Sequence, residues 1–116
     1  MAIEQQLDAN LPAGFPVIDK FANGVATSIK SIDLSAATYQ NVGSLTRTVN
    51  GYVDSVAAFN GAARPGVAIT ASDITVRQLQ LAYPVGSMSA AQQAAIDAAT
   101  ARAQGMGVNL ITTPVR

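Results

Sequence analysis

The chain has 116 residues, of which 49% are apolar and 12% are charged, and its formal net charge is zero. This length and apolar content favour one compact globular domain over residues 1–116 and argue against disorder. Cysteine and histidine are both absent. Their absence excludes disulfides, thiol chemistry, a Ser-His-Asp triad, a ribonuclease with a histidine acid and base, and zinc held by Cys or His.

Two further absences bear on location and partners. No apolar run is long enough to cross a bilayer, and no basic segment precedes an apolar one, so the sequence contains no membrane-spanning segment and no export signal of its own. The zero net charge argues mildly against nucleic-acid binding, because such proteins usually present a basic face. Any catalysis has to use carboxylates, a lysine or arginine, and hydroxyls, with or without a hard metal ion.

A short helix is predicted at the N-terminus. Residues 2–10 are rich in good helix formers, and Ile3 and Leu7 fall on one helical face. Pro12 cannot continue the helix and ends it.

A β-hairpin is predicted next. Residues 15–21 and 25–34 are expected to form two strands, the second rich in β-branched residues. The turn over 22–24 contains an Asn-Gly pair, which supplies the positive φ angles that tight hairpins need. Because side chains alternate along a strand, Ser28 and Lys30 are expected to share one face.

The middle of the chain is predicted to contain a helix and a strand. Residues 35–42 are expected to be irregular, and apolar residues at helical spacing predict a helix over 44–59. Glycine and a Pro-Gly pair predict a loop over 60–72. A third strand is predicted over 73–83, where a shift in the apolar phase indicates a bulge or burial on both faces.

The last segment is predicted to be a helix followed by a strand. Ser89 and Gln92 form a capping-box pattern, and the helix is expected to run to Ala103. A fourth strand is predicted over 108–115. The element order is therefore α-β-β-α-β-α-β, and the strand–helix–strand ending suits a parallel crossover.

The chain resembles a known family: the C-terminal nuclease toxins of bacterial contact-dependent growth inhibition proteins, particularly their tRNA-cleaving branch. These toxins belong to the PD-(D/E)XK, or restriction-endonuclease-like, superfamily. The resembling stretches are LPAGFPVIDKFANGVATSIKSIDL, VNGYVDSVAAF, QLQLAYPV and the last helix with GVNLITTPVR. They cover nearly the whole chain, and the first is the most specific. The resemblance implies a single α/β domain with a mixed, twisted central sheet flanked by helices.

The resemblance also implies a site. The superfamily places a glutamate on the first helix, an aspartate on one strand and a (D/E/S)-x-K pattern on the next. The matching positions here are Glu4, Asp19, Ser28 and Lys30. Serine stands where many relatives carry an acid, which leaves the number of metal ions open. A long helix between the second and third strands is a second departure.

The chemistry of these side chains suits phosphodiester cleavage. A divalent ion polarises a phosphoryl oxygen, lowers the pKa of bound water and orients the attack. Mg²⁺ takes hard oxygen ligands and keeps several waters, so Glu4 and Asp19 would suffice to hold it; Mn²⁺ or Zn²⁺ are alternatives. Lys30 would oppose the developing negative charge or position the nucleophile. Ser28 would donate a hydrogen bond to a metal-bound water or to the phosphate, and an RNA substrate could supply its own 2′-hydroxyl as nucleophile.

These residues also have structural interpretations. A half-solvated strand face commonly carries serine and lysine, and Glu4 suits a solvated helix position. Arg77 and Gln80 on the third strand are weak candidates for nucleic-acid contact, and solvation of the strand face explains them equally well. Asp33 is interpreted as ending its strand in a turn rather than as a site residue. The spacing of Tyr52 predicts a core residue.

The resemblance therefore predicts a tRNA-cleaving nuclease toxin. It would be the C-terminal part of a secreted or cell-surface protein, would act in the cytoplasm of a target bacterium, and would be monomeric in a heterodimer with a cognate immunity protein. Two alternatives stay open: a metal-dependent DNase of the same fold, and a non-enzymatic interaction module.

Overall fold

Strands and helices alternate along most of the computed structural model, which describes residue 11, residues 15–64 and residues 66–115. In chain order the elements are β1 (Lys20–Ala22), β2 (Val25–Ser31), α1 (Ala37–Gln40), α2 (Val42–Ala57), β3 (Gly61–Arg64), β4 (Val67–Thr70), a 3-10 turn (Ala71–Asp73), β5 (Val76–Pro84), α3 (Ala90–Gly105) and β6 (Val108–Val115). The helix predicted over 2–10, and with it Glu4, lies outside the described residues. No helix in the described part of the chain has the length and apolar content needed to cross a membrane.

The central sheet is mixed and has the strand order β1-β2-β5-β6. β1 and β2 are antiparallel, and they are joined at Asn23 and Gly24, whose φ angles of 53° and 80° suit a tight hairpin. β2 pairs with β5, and β5 with β6, in parallel. The predicted mixed sheet and the predicted parallel pairing of the third and last strands are confirmed.

One face of the sheet carries the larger core. The register sets Ser28 beside Leu79 and Lys30 beside Leu81, so these four side chains share a face. Both long helices, α2 and α3, pack on that face. The buried residues of this core are Ile32, Leu34, Leu45, Val49, Val53, Val56, Leu79, Leu81, Ala95, Ile96, Ala99, Ala103, Val108 and Leu110. Burying this apolar surface is the main force that holds the helices on the sheet.

A smaller core lies at the start of β2 and the end of α2. It contains Phe15, Ile18, Ala26, Phe59 and Ile69, and it joins the segment before β1 to β4. This cluster packs the segment before the first hairpin against the start of β2 and the β3–β4 hairpin.

The prediction of a loop over 60–72 is wrong, because these residues contain the antiparallel hairpin β3–β4. Gly61, at φ 119°, allows the close approach of the two strands: a Cβ there would lie 2.4 Å from the Ile69 carbonyl oxygen. Ile69 is buried in the smaller core. Each strand has only four residues, and β3 (GAAR) has low strand propensity, so glycine and the Pro-Gly pair in the sequence indicated a loop.

The first two strands are shorter than predicted. The strand predicted over 15–21 begins only at Lys20, because the chain turns sharply at Val17. β2 ends at Ser31 rather than at residue 34. There Asp33 closes a turn: its Oδ1 accepts hydrogen bonds from the amide and the hydroxyl of Ser35.

The later elements lie close to their predicted bounds. Residues 35–42, predicted as irregular, contain the short helix α1. β5 runs in unbroken register with both neighbours, so it contains no bulge, and Val76, where the apolar phase shifts, is 40% exposed rather than buried on the second face. The capping box is confirmed, because the Ser89 hydroxyl accepts from the Gln92 amide at 3.1 Å and the Gln92 side chain accepts from the Ser89 amide at 2.9 Å.

Candidate active site

Asp19 lies just before β1, and its side chain is tied to the edge of β2. Its Oδ2 accepts a hydrogen bond from the amide of Ile29 at 2.8 Å. Its own amide donates to the Thr27 carbonyl at 2.8 Å, although the strand pair of Thr27 is Lys20. Two residues of the first strand thus face one residue of the second, as in a β-bulge. This shift brings the Asp19 carboxylate to the middle residue of the Ser28-x-Lys30 pattern.

A strained turn sets this position. The Ile18 amide donates to the Pro16 carbonyl at 2.7 Å, and Val17 between them has a φ of 64°. This is a γ-turn of the rare positive-φ form, which is costly for a β-branched residue. Ile18 is fully buried, so packing of the next side chain holds the turn in place. Asp19 follows directly.

Ser28 and Lys30 share a face, as alternation along the strand predicted, and that face lies under α2. Ser28 is only 1% exposed, whereas Lys30 is half-buried. An ionised carboxylate at so buried a position would need a charged partner or a metal ion. The burial of Ser28 is therefore a physical reason for a serine at the position where an acid is more usual.

Tyr52 of α2 is the neighbour of Lys30 that sequence reasoning missed. The Lys30 Nζ lies 5.6 Å from the centroid of the Tyr52 ring. Tyr52 is half-buried against the larger core, so its prediction as a core residue describes only one side of the ring. Burial raises the pKa of the Tyr52 phenol above its ordinary value of 10.0, and nearby Tyr39 adds to that rise. The phenol therefore stays protonated at neutral pH.

Arg77 and Gln80 lie on opposite faces of β5, because they are three positions apart on a strand. Arg77 donates to the Phe59 carbonyl and to the Asn60 side chain, both at 3.0 Å. Gln80 donates to the Thr113 hydroxyl at 3.1 Å, on the face away from Lys30. Both side chains thus have partners within the protein, and the structure does not bring them together.

Asp19 is one of the two proposed ligands of a divalent ion, and its setting suits that role. A carboxylate fixed by a backbone amide suits a hard ion that keeps most of its waters. Glu4, the other proposed ligand, lies outside the described residues. Among the described residues, no three His, Cys, Asp or Glu side chains lie close enough together to hold a metal ion.

A cavity of about 230 Å³ opens where β2, β5 and β6 end, and Asp33 and Tyr83 are among its lining residues. The hydroxyl and then the amide of Ser35 lower the pKa of the Asp33 carboxyl below its usual 3.8. The interpretation of Asp33 as a turn residue agrees with these bonds.

The chain is similar to several known proteins. The family model of the CDI toxin restriction endonuclease-like domain matches residues 1–113 of this chain. The chain is 34% identical over 112 residues to Deoxyribonuclease CdiA-o11 of Escherichia coli O157:H7 strain EC869. It is 31% identical over 111 residues to Deoxyribonuclease CdiA of Yersinia pseudotuberculosis serotype O:3 strain YPIII. These matches cover 94% and 93% of this chain but only 29% and 10% of the two relatives.

The fold is shared with a solved structure, the CdiA-CT/CdiI toxin and immunity complex from Yersinia pseudotuberculosis. The TM-score is 0.81 at 26% sequence identity, and the match covers 100% of both chains. The predicted resemblance and the predicted restriction-endonuclease-like α/β fold are confirmed. This chain belongs to the family of restriction endonuclease-like toxin domains of contact-dependent growth inhibition.

Proposed function

We propose that this domain is a nuclease toxin that cleaves DNA by metal-assisted attack on a phosphodiester. One observation of the structure carries the proposal: the Asp19 carboxylate is bonded to the amide of Ile29, the residue between Ser28 and Lys30. The acid is therefore bonded to the backbone at the centre of the Ser28-x-Lys30 motif, which supports a shared site. The two relatives that match more than nine-tenths of this chain support the substrate, because both are named deoxyribonucleases.

The prediction of tRNA cleavage is not confirmed. The names of both relatives specify DNA, so DNA takes the first place in the proposal. Transfer RNA is the comparison substrate in its test.

Each proposed site residue has a separate role. Glu4 and Asp19 would hold the divalent ion, with Mg²⁺ in first place and Mn²⁺ or Zn²⁺ as alternatives. When bound, the ion would polarise a phosphoryl oxygen and lower the pKa of a bound water molecule. Lys30 would oppose the negative charge that develops on the phosphate, and the Ser28 hydroxyl would donate a hydrogen bond to a metal-bound water or to the phosphate.

Arg77 and Gln80 are weaker candidates for contact with the nucleic acid. Each already donates hydrogen bonds within the protein. A substrate would have to replace those bonds or use the remaining donors of each side chain.

The partners follow from the same family. A cognate immunity protein binds the monomeric toxin domain as a heterodimer, and the solved toxin and immunity complex of similar fold supports this. The domain is the C-terminal part of a larger cell-surface protein and acts in the cytoplasm of the target bacterium. The small share of the relatives' lengths that it spans agrees with such an arrangement.

The test uses the purified protein with plasmid DNA and with total tRNA, in Mg²⁺, Mn²⁺, Zn²⁺ or EDTA. Asp19→Asn and Lys30→Ala are expected to abolish cleavage while they leave thermal unfolding nearly unchanged. Asp97→Asn on α3 and Arg47→Ala on α2, both exposed, are matched controls and are expected to stay active.

Three outcomes would change the proposal. Full activity of Asp19→Asn or Lys30→Ala would remove the mechanism. Cleavage of tRNA with intact plasmid would return the substrate to RNA. A wild-type protein that cleaves neither, and does not arrest growth on expression, would favour the interaction module.

A further inference from the structure

The contact between Lys30 and Tyr52 joins the candidate site to the helix that covers it. The 5.6 Å between the ammonium nitrogen and the ring centroid lies within the limit of about 6 Å for a cation–π interaction. Tyr52 extends from α2, and Lys30 from the face of β2 that packs under α2. The pair therefore spans two layers of the fold.

A lysine needs such a partner if its charge is to occupy one position. Its four-carbon stem is flexible and its ammonium is a point charge, so the head group of an unrestrained lysine explores a wide volume. The ion pair among the described residues joins Arg102 to Asp54 and does not involve Lys30. The contact that the structure gives the Lys30 ammonium is the Tyr52 ring.

We infer that Tyr52 is a positioning residue of this site, whose ring holds the Lys30 ammonium where it meets the scissile phosphate. The inference rests on the proposed nuclease function. Tyr52 acts through Lys30 and not on the substrate, so its loss lowers the rate of the chemical step more than it weakens DNA binding.

The state of the phenol supports this role. Its pKa is raised by burial, so the hydroxyl stays neutral. A neutral phenol leaves the attraction to the ring face, rather than an ion pair with a phenolate, as the interaction with the ammonium. Phenylalanine at this position preserves the ring and is expected to preserve most of the effect.

A matched control exists in Tyr83. Like Tyr52 it is a half-buried tyrosine packed against the larger core, but it lies at the end of β5 beside the cavity. Leucine at either position removes an aromatic ring of similar burial. Only the change at Tyr52 removes the ring that faces Lys30.

The first measurement is NMR on the free protein, which needs no substrate. The methylene protons next to the Lys30 ammonium are expected to be shifted upfield by the Tyr52 ring current. The shift should persist in Tyr83→Leu and vanish in Tyr52→Leu. Unshifted methylene protons in the wild type would overturn the inference, whatever the protein cleaves.

The second measurement is DNA cleavage kinetics. Tyr52→Leu is expected to lower kcat about 3- to 30-fold with little change in KM, while Tyr52→Phe and Tyr83→Leu stay within about twofold. Phenylalanine with increasing ring fluorination at position 52 should lower kcat stepwise, because fluorine withdraws electron density from the ring face without changing its packing. This series keeps the fold even if Tyr52→Leu does not.

The outcomes separate the two proposals. If the wild type is active, fluorination has no effect on kcat and Tyr52→Leu is as active as Tyr83→Leu, only the role of Tyr52 is overturned. A wild type that cleaves no nucleic acid overturns the proposed function and this inference with it.

Discussion

The carboxylate of Asp19 accepts a hydrogen bond from the amide of Ile29 at 2.8 Å, and this bond ties the residue that precedes β1 to the centre of the Ser28-x-Lys30 motif. The carboxylate takes the place of a backbone carbonyl, because in the described part of the chain β1 pairs only with residues 25–27 and offers the Ile29 amide no acceptor. The acid is therefore placed by the same kind of bond that pairs the strands, and it moves only if the edge of β2 moves.

The first prediction separates the structural part of Asp19 from its chemical part. Asp19→Asn keeps an oxygen for the Ile29 amide, whereas Asp19→Ala leaves that half-buried amide without its acceptor. We expect both variants to lose cleavage, but only the alanine variant to lose about 1–3 kcal/mol of unfolding free energy. Urea unfolding measures the difference. Equal stability of the two variants would show that the bond contributes nothing.

The second prediction concerns the strained turn. Val17 has a φ of 64°, which glycine adopts freely, so Val17→Gly should leave stability unchanged or raise it by up to about 1 kcal/mol. Val76→Gly is the control: Val76 is 40% exposed and Val17 38% exposed, but Val76 lies within β5. Its replacement should cost about 1 kcal/mol. A similar loss in both variants would mean that Val17 is unstrained.

The third prediction uses the burial of Ser28. Ser28→Asp places a carboxyl where the serine is 1% exposed, and desolvation raises the pKa of that carboxyl in the folded state. A raised folded pKa means that stability is retained below the unfolded pKa of about 3.9 and is lost as the pH rises through the folded pKa.

Ser28→Asp should therefore lose roughly 3 kcal/mol at pH 7 relative to pH 4. Ser28→Ala should show no such pH dependence. Unfolding at several pH values in the presence of a chelator provides the measurement, because a bound metal ion would stabilise the new acid. A flat profile for Ser28→Asp would contradict the burial of this position.

The fourth prediction tests how α3 supports the segment next to the site. Gln92 is buried, and its amide donates to the carbonyls of Leu34 at 2.8 Å and Tyr39 at 3.0 Å. Gln92→Ala leaves both carbonyls without this donor and removes half of the capping box, so we expect a loss of about 2–4 kcal/mol. Gln93→Ala, at the exposed neighbouring position, should change stability by less than about 0.5 kcal/mol. Comparable losses would show that the Gln92 bonds contribute little.

Alternation along one strand was enough to predict that Ser28 and Lys30 share a face, because a period of two is fixed by strand geometry. The capping box at Ser89 was predictable for a similar reason, since its two bonds lie within one helical turn. Local geometry of this kind is encoded by neighbouring residues and needs no knowledge of the rest of the fold.

Other features depend on contacts between distant parts of the chain. Helical spacing placed Tyr52 on an apolar stripe but could not say that a lysine 22 positions earlier would lie against its ring. The turn at Val17 was not predictable, because glycine and asparagine, not valine, indicate positive φ. The hairpin β3–β4 depends on the burial of Ile69 in a cluster with Ala26 of β2 and Phe59 after α2, and its first strand, GAAR, has weak strand propensity.

The parallel pairing of β2 with β5 has a kinetic consequence. Just before the two strands, the Thr75 hydroxyl donates to the Gly24 carbonyl, 51 positions earlier in the chain, and α2 with Tyr52 lies inside the intervening loop. Closing so long a loop loses chain entropy before any native contact compensates for it. After denaturation, Lys30 therefore regains its aromatic partner together with the whole sheet, and catalytic competence should return at the rate of global refolding and no faster.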